Sequence, residues 1–227
     1  MPRNKEQNEE IRRQRKEMIM KGALKVYVEK GYAAAEIGDV AEQAGIARGL
    51  VYYYFKDKLT LFRELFLFMF EQSNKQVQMH FERNLPVPVM LESFVRSMYD
   101  NLMAQPDSFL FFMRMRHELH QLFTAEELNE WKWHRDNLNM IRETMQRGMD
   151  AGDIRSMSPQ LLATQYWGAM MHGMMHLRQM NLELQEQGVS KTEIERMFHR
   201  DMEDAVASCI ALVGPSSREK SSGDDKA

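Results

Sequence analysis

The stretch AGIARGLVYYYF, residues 44–55, places two glycines, one arginine and four aromatics in twelve positions. Three consecutive tyrosines cannot all point into one core, so part of this segment must face something other than its own protein. The residues before it set the context. Val40 and Ala41, Gly45 and Ile46, then Val51 and Tyr54 supply what two short crossed helices need: apolar locking positions on each and a glycine able to take a left-handed conformation between them. This spacing predicts a helix from about Glu36 to Ala44, a turn at Gly45, and a helix from about Ala47 to Tyr54. Helices this short do not persist alone in water, so longer neighbours must hold them.

With Val51, Tyr54 and Phe55 turned inward, the helical period leaves Arg48, Gly49, Tyr52 and Tyr53 on the outward side. The outward tyrosines offer hydroxyls to phosphate oxygens, and Arg48 suits a guanine edge or a phosphate. Gly49 costs about 1 kcal/mol of helix stability relative to alanine, a cost that fits close backbone approach to another surface.

The stretch IMKGALKVYVEKGYAAAEIGDVAEQAGIARGLVYYYFKDKLTLF, residues 19–62, resembles the DNA-binding domain of the TetR family of bacterial transcriptional regulators. Its landmarks are EKGY at the end of the first helix, I..VA..AGIA.G across the turn, and YYYF..K..L leading into helix four. The resemblance implies a homodimer whose N-terminal domains grip a palindromic operator on double-stranded DNA and whose C-terminal domains bind an effector. It also implies DNA contacts at Arg48, Gly49, Leu50, Tyr52, Tyr53 and Lys58, with the N-terminal arm on the backbone. The chain departs from the family pattern in three places: Ala35 stands where a threonine is favoured, Ala47 where a serine is favoured, and Leu50 where a small or polar residue is frequent. Alanine at an N-cap costs about 1 kcal/mol and removes a hydroxyl; Glu36 at the second helix's dipole, the tyrosines and the basic arm are the candidates to offset it. Leu50 favours apolar contact, for instance with a thymine methyl.

Outward from this module the pattern stays helical, and the fold class is all-α: an N-terminal three-helix helix-turn-helix domain over 8–58 and a C-terminal helical bundle for ligand binding and dimerisation over 59–213. The first helix runs from about Asn8 to Lys30 and stops at Gly31; helix four follows Asp57 and continues towards Phe81, with Pro86 and Pro88 closing it. Later helices are expected over Val89–Gln105, Ser108–Phe123, Ala125–Ala151, Pro159–Gln187 and Lys191–Val213, with Asp107, Thr124, Ser158 and Ser190 as candidate N-caps. The tail GPSSREKSSGDDKA, 214–227, has a disordered composition.

The net charge is −3, but residues 1–58 carry +3 and the rest −6, as an anion-facing head on an acidic body would. The polar start, the single cysteine and the absence of a long apolar run point to a cytoplasmic protein without a membrane span. The apolar LFRELFLFMF of helix four is accounted for by burial in the bundle. No glycine-rich phosphate loop, nucleophile elbow or activated cysteine is present, so a non-enzyme with no cofactor is expected. A helical adaptor with the same fold and no operator of its own is the alternative function.

Nine of the 21 methionines lie between Met140 and Met180. Flexible methionines suit a soft core or subunit interface, and equally a malleable pocket for a small apolar effector. Candidate pocket residues are Met113, His117, Met145, Trp167, Met171 and His172. Gly168, Met175, Met202, Ala205 and Cys209 are candidates for the homodimer seam, a four-helix arrangement with two helices from each subunit. The pairs His117/His120 and His172/His176 share helix faces, yet HELHQ is one residue short of the zinc-protease HExxH and no third ligand follows, so no metal is expected.

Overall fold

The computed structural model describes residues 5–130 and 133–214, and among these every regular element is a helix. The order is α1 Lys5–Ala34, α2 Ile37–Gln43, α3 Arg48–Tyr54, α4 Lys58–Phe81, α5 Val87–Ala104, α6 Pro106–Leu122, α7 Ala125–Glu130, α8 Trp133–Asp150, α9 Pro159–Glu186 and α10 Lys191–Val213. Two compact units divide the chain: one takes residues up to Ser73 together with Gln105–Lys132, the other Asn74–Ala104 together with the residues from Trp133 onwards. The segment 8–58 falls wholly in the first unit, while α4 supplies side chains to both. Of the tail expected to be disordered, all but Gly214 lies outside the described residues.

The first unit is organised by aromatic packing. Tyr27 of α1, Phe62 and Phe66 of α4, and Phe111 of α6 are all fully buried. The Phe66 ring meets that of Phe111 at 4.7 Å and that of Tyr27 at 5.1 Å, both edge-on, the arrangement aromatic quadrupoles prefer. Gly31, at φ 75°, ends the regular part of α1, and α6 clamps that end: Arg114 donates to the Val28 carbonyl at 2.8 Å, and Glu118 accepts the Tyr32 backbone N–H at 3.0 Å. These contacts satisfy orphan groups at a helix terminus.

In the second unit α5 and α9 run side by side in the same direction. The Tyr166 hydroxyl donates to the Leu91 carbonyl at 2.6 Å, Tyr99 lies against Gly173, and Asn181 reaches Met103 at 3.8 Å. α10 runs back along α9, with the Val213 carbonyl accepting from the Arg155 N–H at 3.2 Å and Arg96 of α5 donating to Glu203. Burial of the Tyr166, Tyr99 and Cys209 groups pushes all three pKa values up, keeping them neutral.

Several boundaries differ from the expected ones for local reasons. Ser158 and Ser190 cap α9 and α10 as read, each accepting a backbone N–H at 3.3 Å, and Thr124 accepts the Glu127 N–H at 3.2 Å. Asp107 is not a cap. Pro106 takes the first helical position of α6, where its missing N–H costs nothing, and Gln105 precedes it. Pro88 sits within the first turn of α5 for the same reason, and α4 ends earlier, at Phe81. The helix expected over 125–151 is represented by α7 and α8, which lie on either side of 131–132, outside the described residues.

His80, near the end of α4, is 6 % exposed; its Nε2 lies 3.0 Å from the Met90 carbonyl and 3.2 Å from the Ser93 hydroxyl. Burial pushes its pKa below 6.5, against the Met90 carbonyl, which favours the charged form; the Arg83 cation adds to the lowering. A folded-state pKa below the unfolded one means that the neutral ring's contribution to stability is complete above the unfolded pKa and lost as pH falls through the folded one. The melting temperature is therefore expected to fall between pH 7 and pH 5, and His80→Gln, which keeps a donor but does not titrate, should flatten that slope in a pH series of melts. An unchanged slope would show that His80 is not the group responsible.

Candidate nucleic-acid interface

The recognition segment is built on its own underside. Val51 is fully buried and Phe55 is 1 % exposed, which fixes α3 against the rest of the first unit. Gly45 has φ 64°, a left-handed value that a side chain would oppose, and the turn closes with the Ile46 N–H donating to the Ala41 carbonyl at 3.0 Å. Tyr54, expected to be buried with Phe55, is half-buried instead; its ring meets that of Tyr53 edge-on at 5.2 Å.

The opposite side of α3 is open. Arg48 and Gly49 are exposed, as are Tyr52 at 45 % and Tyr53 at 76 %. Arg48 donates to the Tyr52 hydroxyl at 3.3 Å, with its guanidinium 5.7 Å from that ring's centre, so the two side chains present one joint surface. A Cβ on Gly49 would meet nothing within 4 Å, and Leu50 is half-buried beside it. Ala47 precedes α3 without a side-chain cap. At α2 the N-cap is Glu36, with Ala35 one residue before it, and Asp39 at the third helical position accepts the Glu36 backbone N–H at 3.1 Å and pairs with Lys30 at 2.8 Å. The Lys30 ammonium, helped by that N–H, holds the Asp39 carboxyl below its ordinary pKa.

Lys58 is engaged within the protein: its ammonium donates to the Ala33 carbonyl at 2.9 Å and lies 4.8 Å from the centre of the Tyr32 ring. Lys56, absent from the expected contacts, is the exposed lysine of the loop after α3. Its signal was its position, one residue past the aromatic run, but a lone loop lysine has no periodicity to mark it. On α1, Arg12 and Arg15 are exposed, whereas Lys16 pairs with Glu64 at 3.1 Å.

Residues 19–65 match the family of bacterial regulatory proteins, tetR family. They are a TetR-family DNA-binding domain. Along more of its length the chain is 26 % identical over 149 residues to the HTH-type transcriptional regulator YhgD of Bacillus subtilis, covering 66 % of this chain and 76 % of that one. It is 24 % identical over 137 residues to the fatty acid metabolism regulator protein of Bacillus subtilis, covering 60 % and 69 % respectively. The fold matches that of the transcriptional regulator FadR from Bacillus subtilis, solved in complex with stearoyl-CoA, with a TM-score of 0.60, 20 % identity, and 84 % and 97 % of the two chains covered. YhgD and FadR are named as transcriptional regulators, and no helix among the described residues is long and apolar enough to cross a membrane.

The residues considered for effector binding divide between the units. Met113, half-buried, and His117, exposed, lie on α6 in the first. In the second, Met145 is fully buried and Trp167 and Met171 are half-buried. His172 is exposed, its Nδ1 donating to the Gly168 carbonyl at 2.7 Å, and it lines a shallow groove between α9 and α10 with Gly173, His176, Asp201, Ala205 and Ser208. Of the residues considered for a dimer seam, Gly168 and Ala205 are half-buried and Met175 is 50 % exposed. Met202 and Cys209 turn inward, at 7 % and 1 % exposure, with the Cys209 sulfur 3.9 Å from the Tyr99 hydroxyl, so they belong to the core of their own unit. The apolar stripe of α10 was legible; whose core it enters was not.

Proposed function

We propose that this TetR-family protein is a ligand-responsive repressor that grips a palindromic operator as a homodimer and is released by a largely apolar small molecule. The observation that carries the DNA-binding part is the joint surface of Arg48, Tyr52 and Tyr53, held outward by buried Val51 and Phe55. Two such helices, one per protomer, enter successive major grooves; Arg48 and the tyrosine hydroxyls meet phosphates and base edges, Gly49 permits close approach, and Leu50 contacts a thymine methyl. Lys58 gives one of its three donors to the Ala33 carbonyl and keeps the others for phosphate, and Lys56 and the exposed arginines of α1 add backbone contacts.

The effector part is supported by the methionine-rich second unit and by the relative named for fatty acid metabolism. We assign the effector site to that unit, with Met145, Trp167 and Met171 among its residues. The dimer seam uses the open groove side of α9 and α10, where Gly168, Met175 and Ala205 present small or flexible groups. Ligand acts by binding one head spacing more tightly than the other, and α4, which serves both units, is the coupling element.

The test uses a duplex enriched by the chain itself from a random-sequence pool. With several phosphate contacts per dimer, affinity measured by fluorescence anisotropy is expected to fall about a hundredfold or more between roughly 50 and 200 mM salt. Tyr52→Ala should weaken binding by about tenfold at fixed salt, a loss of about 1.4 kcal/mol. Salt-independent binding, or an unaltered Tyr52→Ala protein, would remove the docking of α3 from consideration.

A further inference from the structure

Asn137, on α8, is 1 % exposed, and among the described residues neither its amide nitrogen nor its amide oxygen has a hydrogen-bond partner. Buried polar groups are nearly always paired, so a carboxamide with both ends unmet marks a place where something else completes it. Its own helix face sharpens the contrast. Thr144, two turns further along and equally buried, is satisfied by Arg147 at 3.1 Å, and the rest of that face, Ile141 and Met145, is apolar and fully buried.

A Cβ on Gly148 would press against Val87 at 2.7 Å, so the end of α8 lies at the start of α5. At 1.5 Å per residue, Asn137 is about 16 Å back along α8 from that contact. In the same unit Tyr99 of α5 abuts Gly173 of α9, which lies between buried Met170 and Met174. Asn137 thus belongs to the methionine-rich second unit, with both ends of its carboxamide unpaired.

We propose that Asn137 is the polar recognition point of the effector, and that the effector carries a neutral group which both donates and accepts hydrogen bonds on an apolar body, such as the amide of a long-chain acyl amide. A carboxamide presents one donor side and one acceptor side by side, so its full complement is another amide. It carries no charge with which to neutralise a buried carboxylate or ammonium, which favours a neutral head as its partner. The apolar body replaces contacts that flexible methionines make readily. This inference rests on the effector reading above.

The probes are hexadecanamide, N,N-dimethylhexadecanamide and palmitate, applied to the full chain with thermal shift and duplex release as readouts. Hexadecanamide should raise the melting temperature and release the duplex; the dimethyl analogue, which accepts but cannot donate, should bind about tenfold more weakly. Asn137→Leu, which removes the unpaired group at similar volume, should leave the ligand-free melting temperature unchanged or higher and weaken hexadecanamide binding by about 10- to 100-fold. Equal binding of hexadecanamide to wild type and Asn137→Leu, or equal binding of the two amides to wild type, overturns the assignment. A lower melting temperature of ligand-free Asn137→Leu also overturns it, by showing that the amide is satisfied within the protein. Release of both proteins by palmitate alone would sink the role of Asn137 while leaving an apolar effector in place; no binding by any probe sinks the inference and leaves the DNA-binding test untouched.

Discussion

Phe66→Ala is expected to destabilise the first unit by about 3–5 kcal/mol. The ring is fully buried and meets four others, those of Tyr27 and Phe111 at 5.1 and 4.7 Å and those of Phe123 and Phe70 at 6.2 and 6.5 Å. Removing it forfeits the transfer energy of the side chain, the edge-on aromatic contacts, and the space that its rigid neighbours cannot collapse to fill. Against a domain stability of about 5–15 kcal/mol such a loss leaves the unit marginal, and duplex binding should weaken because fewer molecules hold α3 in place. Urea unfolding followed by far-ultraviolet dichroism gives the magnitude. Phe66→Leu should cost clearly less, because most of the volume remains. Leu67→Ala, at a neighbouring position that is 49 % exposed, should stay within about 0.5 kcal/mol of wild type. Similar losses in all three proteins would mean that the aromatic cluster is not the core of the unit.

The contrast between Phe66 and Leu67 also shows what a sequence can disclose. Phe62, Leu65, Phe66 and Met69 recur at helical spacing, so their burial is written in the period, as is that of Val51 and Phe55. The ends of α9 and α10 are equally plain, because Ser158 and Ser190 act through bonds within their own turns. Local chemistry of this kind reads directly.

What was not legible depends on which surface a face meets. Met202 and Cys209 form a stripe with Val206, and periodicity shows that the stripe is covered without saying by what; Tyr99, more than a hundred residues earlier, supplies the answer for Cys209. Lys58 has the right position for a phosphate contact, yet nothing near it in sequence discloses that the Ala33 carbonyl and the Tyr32 ring already hold its ammonium. Asp107 and Pro106 compete for one helix start, and proline prevails because its fixed φ suits the first helical position. Asn137 carries no sequence signal at all, since asparagine in a polar stretch reads as exposed until the packing around it is known.

Gly22→Val is expected to lower duplex affinity by about a hundredfold. Gly22 lies where α1 crosses α2, and a Cβ there would stand 3.0 Å from both the Val40 carbonyl oxygen and the Ala44 backbone nitrogen. Those two atoms are the partners of a 2.9 Å hydrogen bond at the end of α2, so the obstacle is backbone and cannot swing away as a side-chain tip would. Valine adds two further carbons at the same point, and such overpacking costs typically about 1–3 kcal/mol. The unit survives that cost, but α2 and α3 span only seven residues each and have no independent stability with which to resist displacement. The shift passes to α3 through the turn, where Ile46 is tied to Ala41, and carries Arg48 and Tyr52 out of register with the groove. Since the affinity loss then comes from position and not from unfolding, Gly22→Val should keep most of its helical dichroism while failing in anisotropy, and Gly22→Ala should fall between it and wild type. Hydrogen exchange across α9 should stay at wild-type rates, because that helix belongs to the other unit. A Gly22→Val protein that binds the duplex within threefold of wild type would show that α1 and α2 have room to part, and that the close crossing does not set the position of the recognition helix.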